Sequence, residues 1–149
     1  MNVAKPAVCL LLPLLVTVIG PVQVWGQSSV PETQLRRSVP RDTETRVSSA
    51  ANWRQRRVGQ CTASSIPALE LVTPPKHGTV RFVTTDVGVP RGSGCTNSIY
   101  GQAVFYRPDS GFTGQDQFTY NRPAEAMAFN WLGPPAGQIT MIVTVREKN

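Results

Sequence analysis

One histidine, three cysteines and nine acidic residues are all that 149 residues hold of the side chains from which most catalytic and metal centres are made. The histidine, His77, sits in Pro74-Pro75-Lys76-His77-Gly78, a run of turn formers, and reads as a solvated turn residue rather than a base. No two cysteines stand in a CxxC spacing, which excludes the usual redox and zinc motifs. A phosphate-binding loop, a nucleophile elbow and an Asn-x-Ser/Thr sequon are also missing. The acids beyond residue 60 are Glu70, Asp86, Asp109, Asp116, Glu125 and Glu147. Only Asp109 and Asp116 lie close in sequence, and aspartates in such turns bond nearby backbone amides. The expectation is a noncatalytic protein with no cofactor and no metal.

What is present divides the chain into three. Residues 1–26 read as a secretory signal peptide: Lys5 gives a positive start, Val8 to Ile19 is uncharged and apolar, Pro21 breaks the run, and Val24 and Gly26 suit cleavage. The competing reading is an uncleaved anchor, since no charge occurs between Lys5 and Glu32. Against it, the uninterrupted apolar core is short of the roughly 20 residues a span requires. An extracytoplasmic location, periplasmic or secreted, follows from this segment.

Residues 27–60 are rich in Ser, Thr, Arg and Gln, with seven arginines against Glu32, Asp42 and Glu44, a net 7 − 3 = +4 of the chain's +6. With no sustained apolar period, the segment is expected to be a flexible basic arm. Within it, Trp53, Arg54, Arg56 and Arg57 are candidates for contact with an anionic lipid or polysaccharide. The alternative is a solvated tether whose tryptophan folds back on the domain. Nucleic acid is not expected as a partner of an exported chain.

Residues 61–149 carry short alternating segments and turns, as an all-β domain requires. Leu69 and Leu71 alternate before Pro74, and Val80 and Phe82 after Gly78, which predicts a hairpin over that turn. Val104 and Tyr106, then Phe118 and Tyr120, then Ile139, Met141, Val143 and Val145 share faces in three further strands. Cys61 and Cys95 remain once the signal is removed and are expected to form a disulfide. Between Asn121 and Gln138 stands a connection with Met127, Phe129, Trp131 and Leu132. It reads either as a core strand or as an exposed partner loop.

One stretch carries a resemblance. Gly111 to Tyr120, GFTGQDQFTY, with the preceding Phe105-Tyr106-Arg107-Pro108 and the upstream Pro75-Lys76-His77-Gly78-Thr79-Val80, resembles the Ig-like and cadherin-like repeats of bacterial surface adhesins. The likeness spans one repeat, from about Ile66 to Val145, without the acidic linker on which such arrays bind calcium. It implies a small antiparallel Ig-like β-sandwich of six to eight strands, in which the Tyr120 hydroxyl caps a corner and Arg122 stands where antibody-type domains have a cysteine. It also implies a noncatalytic binding or structural module of the bacterial envelope or secretome, with an unknown protein or carbohydrate as partner. The alternative function is envelope or polyanion binding through the arginine-rich arm.

Overall fold

The computed structural model describes residues 1, 32–89, 91–96, 98–124 and 130–148. The expected signal peptide, and Met127 and Phe129 of the expected partner loop, lie outside them. Every regular element among the described residues is a strand: β1 (Glu32–Pro40), β2 (Thr45–Arg57), β3 (Gln60–Ser65), β4 (Glu70–Thr73), β5 (Gly78–Val87), β6 (Ile99–Pro108), β7 (Gly114–Arg122), β8 (Asn130–Leu132) and β9 (Gly137–Arg146). One sheet runs β1-β9-β7-β4 and the other β3-β2-β6-β5, with β8 paired to β2. β1 lies parallel to β9 and the other pairings are antiparallel. The expected all-β class holds, in two sheets consistent with a small sandwich.

The period-2 pattern explains why these segments became strands and which face each buries. Phe118 and Tyr120 of β7, Ile139, Met141, Val143 and Val145 of β9, and Val104 and Tyr106 of β6 are all buried in one cluster drawn from both sheets. Tyr106 stacks on Phe118 with ring centroids 6.0 Å apart, and Phe118 and Tyr120 are 6.1 Å apart at a tilt. Aromatic pairs of this kind add to the area they bury.

Segment 27–60 departs from expectation, because from Glu32 onward it is β1, the whole of β2 and the first residue of β3 rather than a mobile arm. Val39, Val47 and Ala50 enter the main cluster, and Ala51 and Trp53 enter a second one with Cys61, Val87, Ile99 and Ala103. The apolar positions there are small or far apart, and a register shift between Arg46 and Ser48 breaks the alternation. The segment is held by ladders to β9 and β6, more than ninety and fifty residues away. Seven strands, β3 to β9, thus make up the part where six to eight were expected, and β1 and β2 add two more from the segment before it.

The expected hairpin across Pro74 to Gly78 is a crossover. β4 pairs with β7 in one sheet, while β5 pairs with β6 in the other, so the turn carries the chain from one sheet to the other. The β8–β9 connection lies close on β2 at Gly133, which has φ +90°. A Cβ there would sit 2.0 Å from Ser49 O, so only glycine fits this approach.

Candidate functional site

The crossover turn is held by Asp116, buried in β7. Its Oδ1 accepts from the backbone N–H of Lys76 (3.0 Å) and of Gln117 (2.8 Å), and its Oδ2 accepts from the N–H of His77 (2.9 Å) and the hydroxyl of Tyr106 (2.9 Å). The Tyr106 hydroxyl also lies 3.0 Å from His77 O. Burial first, then the bond to the Asp116 carboxylate, pushes the Tyr106 phenol well above the ordinary tyrosine range. The His77 ring stacks on Phe112 with centroids 4.4 Å apart. Asp116 bonds amides, as such aspartates do, one beside it at Gln117 and two on a turn about forty residues away. Tyr120 bonds Ser48 Oγ (3.2 Å) on the opposite sheet instead of capping a corner, and it is Tyr106 that reaches the turn.

The arginine cluster has a different setting from the one expected. Trp53 is 6% exposed, packed in the second cluster, and its indole N–H is buried without a partner among the described residues. It is no surface contact, because a buried indole removes far more apolar area from water than one edge contact would. Arg54, Arg56 and Arg57 are exposed on the β2–β3 hairpin, whose tip carries Val58, 97% exposed. Cys61 and Cys95 form a disulfide, joining this hairpin to residues 91–96. Four bonds support the joint: Gly59 N–H to Gly94 O (3.0 Å), Thr96 N–H to Gly59 O (2.9 Å), Thr96 Oγ1 to Gly59 O (2.7 Å) and Gln55 Nε2 to Gly94 O (3.1 Å). Arg91, also exposed, belongs to the attached segment, and neither 51–65 nor 88–96 contains an acid.

Two arginines elsewhere, Arg81 and Arg41, have carboxylate partners. Glu44 takes both Nε and Nη2 of Arg81 (2.9 and 2.8 Å), which holds its carboxyl below the usual range, and Arg41 contacts Asp42 and Glu147.

Of the expected partner loop, Trp131 is 58% exposed in β8, opposite Asn52 of β2. It lines a hollow of about 260 Å³ with Asn52 and Arg122. Arg122 itself is buried, and its guanidinium donates to Leu132 O (3.0 Å), Pro134 O, Ala51 O (3.4 Å) and Asn52 Oδ1 (2.7 Å). Standing where the resemblance places a cysteine, it links β7 to the opposite sheet by hydrogen bonds.

A larger open groove, about 530 Å³, was not foreseen. It is lined by Leu35 and Arg37 of β1, Arg46, Ser48 and Ser49 of β2, Val89, and Leu132 to Pro135. Its residues come from four separate parts of the chain, so nothing local in the sequence marks it. Among the described residues no group of three His, Cys, Asp or Glu side chains could hold a metal ion. Compared with family models, curated proteins and solved structures, the chain matches none.

Proposed function

We propose that this chain is an exported, noncatalytic module of Ig-like type, serving the bacterial envelope or secretome by binding or as a structural unit. The observation that carries it is the pair of sheets, β1-β9-β7-β4 and β3-β2-β6-β5, which share one buried cluster and are joined by the crossover that Asp116 secures. Asp116, the acid best placed for chemistry, has both oxygens committed to that turn, which favours a scaffold over an enzyme. The disulfide fits an extracytoplasmic location, and the signal-like start of the sequence supports export. The test is expression of the full chain in a bacterial host followed by fractionation, N-terminal sequencing and thiol alkylation. The expected product is extracytoplasmic, shortened near residue 26 and without free thiol. A full-length cytoplasmic product with two alkylatable cysteines in the folded part would overturn the reading.

A second reading, polyanion binding, is favoured by the exposed Arg54, Arg56, Arg57 and Arg91 on one stapled, acid-free joint. Removing residues 27–60 would destroy β1 and β2, so substitution is the appropriate probe. Under this reading the triple Arg54→Gln, Arg56→Gln, Arg57→Gln variant elutes from heparin at clearly lower salt and loses retention on anionic vesicles. Unchanged retention by the folded variant would refute it.

A further inference from the structure

We propose that the groove between β1, β2 and the β8–β9 connection binds a single-chain amphiphile with a carboxylate head. The groove's volume, about 530 Å³, lies within the range of small-molecule sites, roughly 300–1,000 Å³. Its wall is apolar at Leu35, Val89, Leu132 and Pro135, and cationic at Arg37 and Arg46, with no acid lining it.

The two arginines are presented differently. Arg37 donates from Nε to Val47 O (3.0 Å) and from Nη1 to Arg36 O (3.0 Å), so its guanidinium is fixed with Nη2 unengaged among the described residues. The Arg46 guanidinium takes part in none of the hydrogen bonds or ion pairs there, whereas Arg81 and Arg41 each hold a carboxylate. Two cations on one groove repel each other, and a bound anion relieves this while satisfying planar donors that suit a carboxylate. The apolar wall then takes the chain, whose transfer from water supplies affinity in proportion to area buried. An uncharged amphiphile lacks the first contribution and a cationic one reverses it. This site is independent of the hairpin arginines and of the Ig-like reading.

The test is calorimetric titration of the intact, oxidised chain with laurate below its micellar concentration, with dodecanol and dodecyltrimethylammonium as headgroup controls. The expected result is saturable one-to-one binding of laurate, at least tenfold weaker binding of dodecanol and none of the cation. Arg46→Gln should weaken laurate about tenfold, Leu132→Asp should abolish it, and the Arg54→Gln, Arg57→Gln pair should leave it unchanged. Arg46→Glu should favour the cation over laurate, an inversion that loss of structure cannot produce. Circular dichroism and thermal melting establish that the Arg46 variants are folded. No saturable laurate binding, equal binding of dodecanol, or full affinity in folded Arg46→Gln would each overturn the proposal.

Discussion

Replacing Asp116 by alanine should unfasten the crossover turn, and the cost can be worked from its bonds. Four donors lose their acceptor: the N–H groups of Lys76, His77 and Gln117 and the Tyr106 hydroxyl. A hydrogen bond to a charged acceptor contributes about 1.5–3 kcal/mol net, and a buried donor left unpaired costs a similar amount. Lys76 and His77 are exposed, so water can replace much of what their amides lose. Tyr106 is fully buried, and its only other acceptor among the described residues is His77 O at 3.0 Å, on the very turn being released. Weighting the phenol fully and the amides partly gives a loss of about 3–4 kcal/mol for Asp116→Ala, and about 2 for Asp116→Asn, which keeps the shape but turns an amide N–H toward donors. Urea unfolding followed by tryptophan fluorescence measures this as a lower midpoint at unchanged slope. Tyr106→Phe alone should cost about 1–1.5 kcal/mol, and the double variant should show a coupling of about 1–2 kcal/mol. Hydrogen exchange adds a local signature, since the Lys76 and His77 amides should speed up in Asp116→Ala more than those of β9. If Asp116→Ala lies within 1 kcal/mol of the parent, or the cycle shows no coupling, the carboxylate is not what fastens the turn.

Other expectations concern the remaining staples. Arg122→Met strands three carbonyls and Asn52 Oδ1 without their donor and should destabilise by about 3–5 kcal/mol in urea. Arg122→Lys should recover only part, because an ammonium cannot span four acceptors that a planar fork reaches. Replacing both Cys61 and Cys95 by alanine opens a loop of 34 residues and should cost about 4 kcal/mol by chain entropy, seen as a melting temperature roughly 10–20 °C lower. The phenols of Tyr106 and Tyr120 are both raised above the ordinary tyrosine value of 10.0, chiefly by burial. A raised folded-state value means that the folded form holds its proton longer, so this contribution is complete below pH 10 and lost as pH climbs beyond it. The part of the stability that rests on these two phenols should fall on that alkaline side, and their 295 nm phenolate absorbance should rise together with unfolding. Phenolate formed at both sites while the near-UV dichroism stays native would contradict the burial.

How much of this was legible depended on where each pattern received its support. β7 and β9 could be read directly, because Phe118, Tyr120, Ile139, Met141, Val143 and Val145 alternate without interruption and all face one cluster. The disulfide followed from cysteine count and spacing. β1 and β2 could not be read that way: their buried apolar residues are Val39, Val47, Ala50, Ala51 and Trp53, sparse among arginines, and their partners are distant strands. Composition predicts disorder there because it counts charge and cannot see that strands expose charge on one face. The role of Arg122 was illegible for a related reason. An arginine is ordinarily a surface residue, and only the carbonyls of β2 and the β8–β9 connection, brought over it by folding, make its burial tolerable.

The move of the arginine cluster from a mobile arm to a stapled hairpin changes what charge can accomplish. On a mobile arm, binding a polyanion would require ordering the backbone, at about 1–2 kcal/mol per residue fixed. On β2 and β3 that ordering is already complete, and the disulfide extends it to the segment bearing Arg91. Affinity for a polyanion should therefore depend on Cys61–Cys95 even though neither cysteine carries charge. The Cys61→Ala, Cys95→Ala variant, kept at low temperature where circular dichroism shows it folded, should elute from heparin at lower salt than the parent. Its dependence on salt should flatten by about one cation as Arg91 ceases to act with the hairpin. Identical elution would mean that the arginines act one by one, as they would on a flexible tether, and preorganisation would have no part in binding.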